Sequence, residues 1–220
     1  MSIYNNSKSL FFKLKQDARK EWEQYTKHKF VIGLGNGTLK LSSFKDYLLQ
    51  DYIFLQKFIK ILSLSAYKAK NSEDRNRSVD FIIGIKHELS LHENYCKKFN
   101  ISMNKLLKTK EKKANKNYTD YVLKVGIRKS NLELFVALSP CIIGYGEIGY
   151  TLSKVRNWKK SKYASWIKMY ASKEYQNISK ENILYLDKLF TKANKNSYKS
   201  LAKIFKKASK LEANFWEMSV

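Results

Sequence analysis

The sequence predicts an all-α protein, a single-domain helical bundle over residues 1–220. Three observations point there. Apolar residues recur every three or four positions along most of the chain, the period of a helix that buries one face. Breakers are scarce: one proline, Pro140, and eight glycines, so the periodic segments run long. Hydrophobic residues make up 44% and aromatics 14%, enough for a real core and too many for a disordered chain. There is no repeat, no Pro/Ser linker and no break in composition. Seven or eight helices with short loops are expected.

The first helix is predicted over 7–30, with Leu10, Leu14, Ala18, Trp22 and Tyr25 on one stripe. VIGLGNGTLKLSS follows as a loop; it lacks the GK[ST] of a phosphate-binding P-loop. Ser43, with Asp46 three residues on, reads as the next helix start. That helix runs over 44–70, and Phe44, Leu48, Asp51, Leu55, Phe58 and Leu62 share its buried face. A third covers 73–99. A lysine-rich connection spans 105–117. Further helices are predicted over 118–129, 131–156, 163–170, 173–194 and 197–218.

Several residues break the apolar pattern in ways that bear on chemistry. Asp51 is an acid on an apolar stripe, which is costly unless paired. It is either a structural hydrogen-bonding group or a functional one. HELSLHE is not the zinc motif HExxH, because His87 and His92 are five apart, roughly 140° around a helix. Glu88 and His92 could share a ligand, but three histidines in the chain supply a metal site poorly. No metal or other cofactor is expected. Cys96, beside Glu93, Lys97 and Lys98, reads as a partly exposed, incidental thiol. Pro140 frees the carbonyl of Val136 and bends its helix. Cys141 follows at once, on one face with Leu134, Leu138, Tyr145, Ile148 and Leu152. It is either a small buried hydrophobe or a nucleophile placed at a kink. Glu212 lies beside Phe215 and Trp216. It is either exposed with its stem on Trp216, or desolvated and so raised in pKa toward the range of a general acid. Tyr47, Tyr145 and Tyr170 fall on inner faces, and aromatic walls with a carboxylate suit a planar heteroaromatic ligand.

FKDYLLQDY, ALSPC followed by YGEIG, YASWIKMY and LEANFWEM, in this order and spacing, resemble thiaminase II, the TenA family. The GNGTL segment and ELSLHENY resemble it too, and the likeness covers nearly the whole chain. It implies a haem-oxygenase-like bundle, a homotetramer, and hydrolysis at the exocyclic methylene of an aminopyrimidine released from degraded thiamin, or of thiamin itself. It implies Cys141 as the nucleophile that adds to the ring and Glu212 as the acid that protonates the leaving group. Asp51 would hold the ring nitrogen and its amino group. Tyr118, Tyr145 and Tyr170 would supply pocket contacts, and Phe215 a stacking wall. One position departs: where the family commonly has a tyrosine that bonds the nucleophile, this chain has Phe54, which offers no hydroxyl. Tyr47, Tyr145 or Glu212 would then activate Cys141.

The net charge of +24 admits a polyanion partner, nucleic acid or an anionic membrane. Of the 43 basic residues, however, 38 are Lys and five Arg, and Asn, Ile and Tyr are abundant. That is the composition of an AT-rich coding sequence rather than of an arginine-using nucleic-acid reader. Neither nucleic acid nor membrane is expected as a partner. The apolar stretches at 52–64 and 134–150 are interrupted by polar residues and are not expected to span a bilayer. No signal peptide is evident, so a cytoplasmic protein with reduced cysteines is expected. Two alternatives compete with the aminopyrimidine reading: a haem-oxygenase-like relative with changed chemistry, and a basic helical module that binds nucleic acid or acidic proteins.

Overall fold

A computed structural model describes residues 2–194 and 197–220, apart from the side chain of Leu91. Among the described residues there are eleven α-helices, two short 3-10 turns and no strand. The helices are α1 (Leu10–Asp17), α2 (Arg19–Thr26), α3 (Lys29–Asn36), α4 (Leu41–Lys68), α5 (Ser72–Lys98), α6 (Met103–Lys108), α7 (Lys113–Arg128), α8 (Asn131–Leu152), α9 (Ala164–Tyr170), α10 (Lys173–Thr191) and α11 (Tyr198–Glu217). They cluster into two compact units, one of residues 1–39 and 135–217 and one of residues 40–134 and 218–220.

In the first unit, the helix expected over 7–30 is three helices. The chain leaves helical geometry at Ala18 (φ −103°, ψ 24°) and again at Lys27 and His28. The turn at Ala18 lets two short apolar faces reach one core: Phe11 and Leu14 from α1, Trp22 and Tyr25 from α2. Ser9 accepts from the amide of Phe12 and caps α1, a device worth about 1 kcal/mol. The expected loop at 31–43 is also mostly helix, since α3 continues to Asn36. Its glycines serve close packing. A Cβ on Gly33 would meet Leu39 at 3.0 Å, and one on Gly35 would meet Leu152 at 2.8 Å. Only Gly37, at φ 78°, uses the left-handed region to end the helix.

α8 is long and apolar enough to cross a membrane by length and composition alone, and 83% of its most apolar 18-residue window is buried inside the protein. Its apolarity therefore serves a core. Glu147 is one of its few charges; it meets the buried Lys15 at 3.2 Å, and that ammonium also bonds the carbonyl of Tyr4. α11 lays Leu201, Phe205, Ala208, Leu211 and Trp216 on its buried face, with Phe205 stacked on Trp22 at 5.4 Å.

In the second unit α4 packs along α5 and α7. α4 begins at Leu41 with Lys40 as an uncapped N-cap, so Ser43 and Asp46 do not form the expected capping pair. Asp46 instead accepts from Lys112 and Ser219, both at 2.6 Å. Lys112 also holds the Met218 carbonyl at 2.9 Å, which fastens the last three residues. The expected lysine-rich connection contains α6 and the start of α7. Ser102 caps α6 through the amide of Lys105. At the other end of α7, Lys68 donates to the carbonyls of Gly126 and Lys129, a cation at a helix C-terminus.

Candidate active site

The nine residues singled out from sequence divide by unit: Tyr47, Asp51, Phe54 and Tyr118 in one, and Cys141, Tyr145, Tyr170, Glu212 and Phe215 in the other.

On α4, Tyr47, Asp51 and Phe54 are all buried. The hydroxyl of Tyr47 donates to Asp51 Oδ2 at 3.3 Å. Burial pushes the Asp51 carboxyl up to about 7, although the Tyr47 bond works the other way. The partner that sequence reasoning missed is His92 on α5. Its Nδ1 stands 3.4 Å from Asp51 Oδ2, and its Nε2 stands 2.9 Å from the Leu48 carbonyl. His92 thus pairs with Asp51 across two helices. Among the described residues no group of three or more His, Cys, Asp or Glu could hold a metal ion. Cys96 is corrected as well: it is fully buried, and burial first, then the charges of Asp51 and Glu93, push its thiol up to about 12. The ring of Phe54 lies 5.3 Å from Tyr118 and 5.4 Å from Phe58. Position 54 is thus a packed aromatic wall.

In the other unit, α8 presents Cys141. Pro140 cannot donate to the Val136 carbonyl, and the Ser139 hydroxyl does so instead at 2.8 Å. The carbonyl of Pro140 accepts from Tyr25 at 3.2 Å. The carbonyls of Val136 and Pro140 beside the thiol thus both have side-chain donors. Cys141 is half-buried between buried Pro140 and Ile142, so its thiol is not fully enclosed. Glu212 is 1% exposed, which excludes the exposed reading. Its neighbours Leu211, Phe215 and Trp216 are buried with it.

An aromatic cluster surrounds these groups' helices. Tyr145 lies 5.1 Å from Tyr170 and 5.3 Å from Trp216, and Trp166 lies 4.5 Å from Tyr170. Phe215 is 6.3 Å from Trp216, edge on. Trp166, Trp216 and Tyr25 were not read as site-forming from sequence. The glycines of GYGEIG carried the signal. A Cβ on Gly144 would stand 2.5 Å from the Tyr25 ring, and one on Gly149 would stand 2.5 Å from Tyr170. Gly144 admits the Tyr25 ring against α8, and Gly149 admits the backbone and Cβ of Tyr170.

The comparisons follow the same pattern. The family model for TENA/THI-4/PQQC proteins matches residues 15–220. The chain belongs to this TenA-containing family. An aminopyrimidine aminohydrolase of Helicobacter pylori is 34% identical over 208 residues, 94% of this chain and 96% of that protein. A structure described as a TenA family transcription regulator from Silicibacter sp. TM1040 superposes with a TM-score of 0.90 at 32% identity, covering 96% of each chain. A Shewanella denitrificans domain of haem-oxygenase-like fold superposes with a TM-score of 0.76 at 12% identity, covering 94% of this chain and 90% of its own. This TenA-family chain therefore has the haem-oxygenase-like, all-α fold.

Proposed function

We propose that this TenA-family chain is an aminopyrimidine aminohydrolase. It would hydrolyse the aminomethyl aminopyrimidine left by thiamin breakdown to the hydroxymethyl pyrimidine and ammonia, and more slowly cleave thiamin, thereby serving thiamin salvage. The observation that carries the reading is a reachable thiol, Cys141, set just past a helical proline in a unit walled by Tyr145, Trp166, Tyr170 and Trp216. The Helicobacter relative's name supports the substrate class.

In this reading the Cys141 thiolate adds to the pyrimidine ring and breaks its aromaticity. Glu212, buried among aromatics, gives a proton to the amine as the exocyclic carbon–nitrogen bond breaks and ammonia leaves. Water adds to the methylene, and the ring regains aromaticity by expelling the thiolate. Asp51 holds the ring nitrogen and adjoining amino group. Tyr118, Tyr145 and Tyr170 contact the substrate and Phe215 stacks on it. Phe54 has no hydroxyl for the thiol, so activation falls to Tyr47, Tyr145 or Glu212. The reading carries a cytoplasmic homotetramer that acts on a small pyrimidine without a cofactor, nucleic acid or membrane.

Ammonia release from the aminomethyl aminopyrimidine tests it. Wild type is expected to turn over. Cys141→Ala should lose all measurable rate while keeping its helical circular dichroism. Glu212→Gln should lose about 10²- to 10⁴-fold, the worth of a general acid. An inactive wild type, or a Cys141→Ala protein of undiminished rate, would end the reading.

A further inference from the structure

His92 has no part in the reaction as described, yet its Nδ1 stands 3.4 Å from a buried carboxyl oxygen, beside the Tyr47 hydroxyl at 3.3 Å. Its surroundings decide its tautomer. The Leu48 carbonyl can only accept, so the nitrogen 2.9 Å away, Nε2, carries a hydrogen. Burial lowers the imidazole below its ordinary value, against smaller opposing effects of that carbonyl and of Glu93. A neutral ring with Nε2–H leaves Nδ1 as a bare lone pair, 3.4 Å from Asp51 Oδ2. A lone pair facing a carboxylate is repulsive. A lone pair facing a protonated carboxyl is a hydrogen bond. The remaining titratable neighbours are Tyr47 on the Asp51 carboxylate, the Tyr52 ring stacked 6.4 Å from His92, and Cys96 and Glu93 on α5. From α7, Tyr118 reaches this side of α4 against Phe54. None of these is a cation that would hold Asp51 ionised.

We propose that His92 is a positioning residue that takes the Asp51 proton when substrate binds. The inference rests on the aminohydrolase reading. In the empty protein the proton sits on Asp51 Oδ2 and points at Nδ1. When the ring-nitrogen and amino edge of a protonated aminopyrimidine meets Asp51, the Oδ2–H bond breaks and an Nδ1–H bond forms. The electron pair stays on the carboxylate, which accepts from the ring N–H and the amino group. The imidazolium then donates to both Asp51 and the Leu48 carbonyl. No proton is gained or lost by the pair. The carboxylate forms only when a cation arrives to meet it, and the site keeps the single net positive charge that the ligand brings.

Histidine ¹⁵N resonances read this directly, and the chain has only three histidines to assign. With ¹⁵N-histidine Cys141→Ala protein at neutral pH, His92 should show a protonated Nε2 and a bare Nδ1. Adding the aminomethyl aminopyrimidine should convert it to imidazolium. In an Asp51→Asn, Cys141→Ala protein it should stay neutral. In turnover, His92→Phe should raise KM about tenfold with little change in kcat. It should also shift the acid limb of kcat/KM, which a packing defect would not. An Nδ1–H tautomer or an imidazolium in the empty protein overturns the inference and leaves the aminohydrolase reading standing. So does a His92 that stays neutral while the pyrimidine demonstrably binds. A protein that binds and turns over no aminopyrimidine ends both.

Discussion

A carboxyl buried on an apolar helix face has a consequence for stability as well as for binding. Asp51 titrates near 7 in the folded protein against an ordinary 3.8, because burial penalises its charged form. Between those values the folded chain holds a proton there that the unfolded chain has released. The Asp51 contribution is therefore most favourable in acid, falls as pH rises from about 4 to about 7, and is level above that. The full swing is on the order of 4 kcal/mol. Asp51→Asn has the shape of the protonated acid and can still donate to His92, so it should remove this slope. Urea unfolding at pH 5 and pH 8 should find the variant gaining on wild type at the higher pH. A difference between the two proteins that is the same at both pH values would refute it. The direction of the Asp51 shift was foreseeable, because an acid on the stripe of Phe44, Leu48 and Leu55 must be desolvated. Its partner was not, since His92 lies 41 residues away on another helix.

At the scale of the element, glycines inside helices divide into those that make room and those that do not. Gly144 on α8 faces the Tyr25 ring at 2.5 Å and Trp22 at 3.1 Å from where a Cβ would stand. Both rings are fixed in the core, so Gly144→Ala should cost roughly 1–3 kcal/mol through overpacking. It would also strain the Tyr25–Pro140 hydrogen bond. Gly84, exposed on α5, has nothing within 4 Å of a Cβ. There alanine should stabilise by up to about 1 kcal/mol, through helix propensity alone. Thermal melts of the two variants should move in opposite directions, with the Gly144 variant also losing near-ultraviolet dichroism from its aromatic cluster. Melting changes of the same sign would contradict the packing account. The helix periods were legible in the sequence, but the breaks at Ala18 and Lys27 were not. A continuous 3.6-residue stripe through Leu14, Ala18, Trp22 and Tyr25 does not reveal that the axis turns.

For the whole molecule, the unbalanced positive charge is the dominant global feature. A net +24 repels itself in any compact state. Its ion pairs are mostly surface contacts such as Arg19–Glu23 and Lys27–Glu23, each worth under about 1 kcal/mol. Added salt shortens the screening length from about 30 Å at 0.01 M to about 8 Å at 0.15 M. The melting temperature should therefore climb by several degrees over that range, in sodium chloride as in potassium chloride. A fall would mean that the ion pairs outweigh the repulsion.

The sequence by itself determined the helical class, the family likeness, and the unusual status of Asp51, Cys141 and Glu212, because these follow from periodicity, order and local composition. Tertiary structure alone decided which side chains meet. Burial of Glu212, the enclosure of Cys96, the pairing of His92 with Asp51, the Tyr25 ring seated on Gly144 and the Tyr170 backbone seated on Gly149 all depend on contacts between distant segments. Helical periodicity gives the face on which a residue lies, but the partner on that face is set by packing between helices, which no local pattern encodes.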